Sequence, residues 1–267
     1  MDTNYWLNLC KDIGEKVSVE VKKYLKKKIR KKILNVGAGG DKTMFIDDVA
    51  EKIIFDHFKS TKRSFIFVSE EIGKKIVGKK PEVMIVVDPL DGSNNISYGI
   101  PIASTSISIG DLSGKIRGVK VGYVKDLIKG HYYHAIKGKG AFKNDESIHV
   151  TNEKTGCFIV DIAHKRRKNF ERIVKLGENS RSVRMLGSCC LGMCLFAEGT
   201  ADGYVGLGAE RTIDHTASQL IIIEAGGVIK DLTGRGFTDY DIGFNMDVNF
   251  IAAPNHEIYS WIKSLLG

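Results

Sequence analysis

Apolar residues recur at steps of three and four near the start of the chain: Trp6, Leu9, Cys10, Ile13, Val17, Val21, Tyr24 and Leu25. That spacing predicts a long amphipathic helix with these side chains on one face. The helix is expected to end near the glycine-rich stretch 35–40, which reads as a mobile loop. A second helix is predicted over 47–59, with Val49, Ile53, Ile54 and Phe58 inward. Short β-rich runs follow at 65–68 and 83–87, leading into the acids Glu70 and Asp88. Further strands are predicted at 102–109, 116–124 and 131–136. Their alternation is only partial, as it is where both faces of a sheet are covered. The segment 138–145 reads as a turn closing this first unit.

Beyond residue 151 the order becomes strand (157–163), helix (169–177), strand (183–186) and helix (188–199). A short strand (203–206), a helix (214–225), a strand (249–253) and a terminal helix complete it. Such alternation suits a layered α/β arrangement. The reading is an N-terminal α+β unit, 1–150, and a C-terminal α/β unit, 151–267. Neither a low-complexity linker nor an internal repeat separates them, so a broad shared interface is expected.

Composition narrows the picture. With 43% hydrophobic and 27% charged residues, the chain is an ordinary folded protein and not a disordered one. Lys+Arg exceed Asp+Glu by 40 − 32 = 8, which favours anionic partners without choosing among them. Much of the excess lies in 22–32, opposite the apolar face of the first helix. It reads as a solvated surface and not a nucleic-acid patch, because no stacking aromatics are interleaved with the charges. No uncharged apolar stretch is long enough to span a bilayer, so no membrane partner is expected. The N-terminus lacks the basic region and apolar run of a signal peptide. Five cysteines without a Cys-x-x-Cys pair read as buried thiols, which fits a reducing cytoplasm.

The chemistry is carried by acids at the ends of apolar segments. Asp88-Pro89-Leu90-Asp91-Gly92-Ser93 follows a strand, and its two carboxylates can converge on one side of a turn. Magnesium takes oxygen ligands, commonly one or two carboxylates plus phosphate and water, and the Leu90 carbonyl offers another oxygen. Gly92 and Ser93 can present backbone N–H groups at a helix start, which attracts phosphate. Each piece also has a plain structural reading. The six residues can be two consecutive turns, Glu70 and Glu71 solvated loop acids, and Asp214 a helix N-cap. Asp47 can likewise cap its helix, and His215 can be a packing or surface residue. What favours a site is the number of such acids at segment ends, where α/β folds place their sites.

With those residues in place, the chain resembles the inositol monophosphatase and fructose-1,6-bisphosphatase superfamily, especially its archaeal dual-activity members. Asp88 to Ser93 matches the family's first aspartate motif, and Glu70-Glu71 its upstream acidic pair. Asp214 through the Glu224-Ala225-Gly226-Gly227 run matches its second motif. Asp41-Lys42-Thr43 leading to Asp47, and the turn from Gly138 to Asn144, match further elements in the family's order. Ile213 stands where the family often has Trp, Ile96 where Phe is frequent, and Ser93 where many relatives carry Thr.

The resemblance implies a layered αβαβα sandwich and a homodimer. It implies hydrolysis of fructose 1,6-bisphosphate and inositol 1-phosphate by metal-activated water attack, with two to three Mg2+ ions and Mn2+ as a candidate substitute. Glu70, Asp88 and the Leu90 carbonyl would hold one ion, and Asp88, Asp91 and Asp214 a second. A third, weaker ion would involve Glu70 and Asp41. Glu70 and Ser93 would orient the nucleophilic water, with Asp47 accepting from Ser93 and Thr43 assisting. Asp91, Gly92, Ser93, Asp214, Arg184 and Arg211 would meet the substrate. Lys165 and Arg166 are candidates for a second phosphate or simply part of a solvated loop. Two other readings stay open: a 3′-phosphoadenosine nucleotide phosphatase of the same superfamily, and a basic nucleic-acid-binding protein without catalysis.

Overall fold

The computed structural model describes residues 1–26, 33–36, 42–153, 155–162, 167–208, 211–238, 240–244 and 248–267; for 33–36 and 42–44 it describes the backbone alone. The chain opens with helix α1 (Thr3–Lys26), a hairpin of β1 (Ile33–Val36) and β2 (Lys42–Met44), and helix α2 (Phe45–Ser60). Next come β3 (Phe65–Ser69), β4 (Gly73–Val77), β5 (Val83–Asp91) and the six-residue helix α3 (Ser93–Tyr98). A meander follows: β6 (Ser104–Gly110), β7 (Val119–Asp126), β8 (Tyr132–Ile136), β9 (Ala141–Lys143) and β10 (Glu146–Ile148).

The second half runs β11 (Cys157–Ile162), α4 (Arg167–Glu178), β12 (Ser182–Arg184), α5 (Cys189–Ala197) and β13 (Gly203–Leu207). It ends with α6 (Thr212–Glu224), β14 (Val228–Asp231), β15 (Asn249–Ala253) and α7 (His256–Leu266). The strands form an eight-stranded sheet, β10-β9-β8-β7-β6-β5-β3-β4, and a five-stranded sheet, β12-β11-β13-β15-β14.

Side-chain alternation along the strands sets the layers. Trp6, Ile13 and Val17 of α1 and Ile54 and Phe58 of α2 cover one face of the large sheet, meeting Phe67, Ile85 and Tyr123. Val124 and Tyr133, on the opposite face, meet α5 and α6, which also touch Ile159, Tyr204 and Phe250 of the small sheet. Phe158, Val160 and Val205 point the other way, onto Leu176 of α4 and Ile262 of α7. The result is helix, sheet, helix, sheet, helix: the αβαβα sandwich. Each large apolar side chain buried this way contributes roughly 1.5–3 kcal/mol. The middle layer approaches closely, since a Cβ on Gly122 of β7 would lie 2.6 Å from the Ala217 carbonyl oxygen of α6.

Several boundaries differ from the sequence expectation. Asn35 and Val36 lie in β1, paired antiparallel with β2, and not in a loop; 27–32 and 37–41 lie outside the described residues. On α2 the buried set is Ile46, Asp47, Ala50, Glu51, Ile54, Phe55 and Phe58, whereas Val49 and Ile53 are half-buried. The Asp88 motif is not a turn beyond a strand, because β5 continues to Asp91. The expected turn at 138–145 contains β9, which pairs with β8 and β10. Strands β4 and β14 had no sequence signal. β4 is a lysine-bearing edge strand with little apolar content, as sheet edges require, and β14 is only four residues long. Cys10, Cys189, Cys190 and Cys194 are buried free thiols and Cys157 is half-buried. Among the described residues no helix is long and apolar enough to cross a membrane.

Candidate active site

Two features of the large sheet bring the N-terminal acids together. β3 and β5 are parallel, with Ser69 opposite Val87; the next residues along the two chains are Glu70 and Asp88. β5 then carries a bulge against β6: Asp88 pairs with Ser106 and Asp91 with Ser104. Residues three apart in a regular strand point to opposite faces. One extra residue at Pro89-Leu90 cancels that inversion, and proline, lacking an N–H, is tolerated at a bulge. Thr105 Oγ1 clamps the bulge by donating to the Pro89 carbonyl at 2.7 Å. Beyond it Gly92 turns the chain with φ 92°, where a Cβ would lie 2.9 Å from the Ile102 carbonyl oxygen. Only glycine fits that combination.

Asp214 arrives from the middle layer. It is not the N-cap of α6 but its third residue; Arg211 is the cap, and its amide donates to Asp214 Oδ2 at 2.7 Å. The Arg211 guanidinium spans two acids, with Nε 3.2 Å from Asp214 Oδ2 and Nη2 2.5 Å from Glu70 Oε1. Burial, then the neighbouring acids Asp91, Glu70 and Asp214, push the Asp88 carboxyl well above the usual carboxylate range. Burial raises Asp214 to about 7, with Arg211 pulling it down and Glu70 pushing it up. Among the described residues Asp214 Oδ1 is buried without a hydrogen-bond partner.

These groups fit a divalent cation. The donors are oxygens, the carboxyls resist ionising together, and one buried carboxylate oxygen lacks a donor; a hard cation answers all three. The ligand shell is not preassembled: among the described residues no three Asp, Glu, His or Cys side chains are gathered as a metal site. Arg211 engages Glu70 and Asp214. Asp91 is turned to the start of α5, accepting from Cys189 N (3.0 Å) on Oδ1 and from Cys190 N (2.8 Å), Ser188 Oγ (2.6 Å) and Ser104 Oγ (2.8 Å) on Oδ2.

Leu90 is buried and its amide donates to Asp88 Oδ1 at 3.2 Å. Ser93 is half-buried at the first position of α3, next to Gly92. Asp47 is buried in the first turn of α2. Thr43 belongs to β2, of which only the backbone is described, and Asp41, Lys165 and Arg166 lie outside the described residues. Arg184 is exposed at the end of β12, its Nη1 bonding the Val183 carbonyl at 3.0 Å. His215 is a core residue: fully buried, in contact with Phe237 and Phe250, and lowered by burial to about 3.

Some supporting residues went unread in the sequence. Glu51 is buried on α2 and accepts from Ser69 Oγ and, at 3.0 Å, from Ile72 N, bracing the turn that carries Glu70. Its signal was the four-residue spacing from Asp47, which puts both acids on one helix face. Asn95 Nδ2 donates to the Leu186 carbonyl at 2.8 Å, tying α3 to the segment before α5. Glu224 accepts from Gly138 N (2.8 Å) and Gly140 N (3.0 Å), so the Glu-Ala-Gly-Gly run and the Gly-x-Gly turn meet across the layers.

The sequence pattern of the Inositol monophosphatase family matches residues 6–265. The chain belongs to this family, a family of phosphoric monoester hydrolases. It is 31% identical to a fructose-1,6-bisphosphatase/inositol-1-monophosphatase of Methanothermobacter thermautotrophicus, covering 99% of this chain and 98% of that one. It is 32% identical to a bifunctional NADP phosphatase/NAD kinase of Methanococcus maripaludis over 91% of this chain but 44% of that longer protein. A solved inositol monophosphatase-fructose 1,6 bisphosphatase superposes with a TM-score of 0.84 at 27% identity, covering 97% of this chain and 99% of that one. The extragenic suppressor protein suhB of Bartonella henselae shares the fold with the same TM-score, 0.84, at 24% identity and 98% coverage of both chains.

Proposed function

We propose that the protein is a magnesium-dependent phosphatase acting on small sugar or polyol phosphate monoesters, with fructose 1,6-bisphosphate and inositol 1-phosphate as its leading substrates. The observation that carries this is the set of neighbouring acids, Asp88 with Glu70, Asp91 and Asp214, in which Asp214 Oδ1 is buried without a hydrogen-bond partner among the described residues. Glu70, Asp88, the Leu90 carbonyl, Asp91 and Asp214 would hold the ions, with Asp41 contributing to a weaker one. Bound there, magnesium supplies positive charge that offsets repulsion between the phosphate ester, the acids and the attacking water.

The chain's own groups do the rest. Glu70 and the Ser93 hydroxyl orient the water, Asp47 and Thr43 support Ser93, and no phosphoenzyme forms. Arg211, which spans Glu70 and Asp214, would be the nearby guanidinium for the substrate phosphate. Asp91, held at the start of α5, would be a contact for the polyol. Arg184 is the outlying candidate for a second phosphate. Family relatives are generally magnesium-dependent, which supports the metal assignment; manganese substitution and a homodimer are part of the same proposal.

A substrate panel with and without magnesium tests it. Phosphate release from inositol 1-phosphate and fructose 1,6-bisphosphate, dependent on magnesium, is the expected result. The relative named as an NADP phosphatase makes NADP, beside 3′-phosphoadenosine compounds, the second reading to include. A preference for either nucleotide by more than about tenfold would overturn the substrate assignment. Salt-sensitive nucleic-acid binding with no phosphate release from any ester would overturn the enzyme.

A further inference from the structure

Asp161 of β11 is a half-buried acid that the mechanism above leaves unused. Along β11, Phe158, Val160 and Ile162 face α4 and α7, whereas Ile159 faces α5. Asp161 therefore falls on the α5 face, two residues closer than Ile159 to the strand's C-terminal end. β11 runs parallel to both of its neighbours, β12 and β13. The C-terminal ends of parallel strands are where α/β folds receive ligands.

The surroundings of this carboxylate leave it underused. Among the described residues its one hydrogen-bond partner is the Tyr204 phenol, at a long 3.5 Å from Oδ2; Tyr204 is fully buried against Phe250. Among the same residues no Lys or Arg pairs with it. Burial, and then the charge of Asp91, push Asp161 up to about 7. Asp91 is in turn fixed at the start of α5 by four donors. Two acids thus lie near one another, Asp161 on the α5 face of β11 and Asp91 at the start of α5. A half-buried acceptor with one weak donor is stabilised by any ligand that donates to it, while an anion placed there meets two carboxylates.

We infer that Asp161 is a specificity-determining residue: its carboxylate accepts a hydrogen bond from a hydroxyl of the substrate's alcohol portion and disfavours alcohols that place a second phosphate at that point. This rests on the phosphatase reading above and deepens it. Asp161 takes no part in the chemical step; it selects a hydroxyl-rich, singly phosphorylated alcohol over a doubly phosphorylated one.

The test compares wild type and Asp161→Asn with saturating magnesium on inositol 1-phosphate, fructose 1,6-bisphosphate and p-nitrophenyl phosphate. The last carries no alcohol hydroxyl and reports intact folding and chemistry. The asparagine keeps the shape and loses the charge, so kcat/KM for inositol 1-phosphate is expected to fall about tenfold, mainly through KM. Fructose 1,6-bisphosphate should hold or improve, and p-nitrophenyl phosphate should stay within about twofold. Asp161→Ser, a second short replacement, should shift the ratio in the same direction. An unchanged ratio between the first two substrates, or an equal loss on all three in both variants, would overturn the assignment. Wild type inactive on every ester would overturn the phosphatase reading, and this inference with it.

Discussion

Replacing Arg211 by methionine keeps most of the apolar stem and removes the guanidinium that holds Glu70 and Asp214. That group lies 2.5 Å from Glu70 and 3.2 Å from Asp214, between side chains with 13%, 20% and 11% exposure respectively for Arg211, Glu70 and Asp214. Removing one partner of a dry ion pair costs about 3–5 kcal/mol. Residual exposure screens this one, so about 2–3 kcal/mol is the reasoned loss. In a chain of this size each kcal/mol moves Tm by about 2–4 °C, giving a fall of about 4–12 °C in metal-free protein. With magnesium present, the cations supply the positive charge that the guanidinium no longer does. The gap between variant and wild type should then shrink to less than about half. The variant should also reach its stabilised form at lower magnesium, because no arginine has to be displaced. Thermal unfolding of both proteins, in chelator and across a magnesium titration, reads all of this. Equal losses with and without magnesium would refute the reasoning, reducing Arg211 to a cap of α6.

Further outcomes follow from the same structure. Asp88→Asn should lower turnover by at least about a thousandfold while leaving Tm in chelator unchanged or higher, because the neutral amide removes repulsion at a crowded site; activity assays and melting curves check the two halves separately. Gly92→Ala forces a side chain into a left-handed turn against the Ile102 carbonyl, so a loss of about 1–3 kcal/mol in urea unfolding and a drop in kcat are expected together. Asp231 bears on acid stability. Burial pushes it up, but hydrogen bonds from Thr233, Tyr240 and the Arg235 and Thr233 amides outweigh burial and hold it at about 2, below its ordinary 3.8. A depressed carboxyl stabilises the fold above its unfolded pKa, and that contribution disappears as pH falls from about 4 to about 2. After screening it amounts to about 1 kcal/mol, so Asp231→Asn should be less stable at pH 7 and show a shallower acid limb in urea melts.

How far the sequence carried the reading depends on how local each cause is. The helical face of α1 and the apolar runs of β3 and β5 were legible because burial against one layer repeats along the segment. β4 was not, since an edge strand needs few apolar residues once β3 supplies its partner. On α2 the inward face was misjudged by weighing only apolar residues: Asp47 and Glu51 are buried there too, Glu51 accepting from Ser69 and Ile72. The acids of the candidate site were visible in the sequence as residue types at segment ends. Their partners were not. Nothing near Arg211 in the sequence indicates that its guanidinium spans Glu70 and Asp214, and nothing near Asp91 names the amides of Cys189 and Cys190.

The spacing of the Asp88 motif shows how the same acids can be brought together by a local structure other than the one expected. The sequence suggested a turn because two aspartates three apart cannot share a face of a regular strand. The chain instead stays in the sheet and inserts one residue, so that Asp88 and Asp91 pair two positions apart on β6, with Ser106 and Ser104. Proline is suited to both solutions, since a turn and a bulge each tolerate its missing N–H. The two differ in rigidity: a bulge inside an eight-stranded sheet fixes Asp88 beside β3, and hence beside Glu70, before any ion arrives. Acids brought close in this way repel one another, and a cation would relieve that repulsion, which is why the proposed metal site falls on this segment.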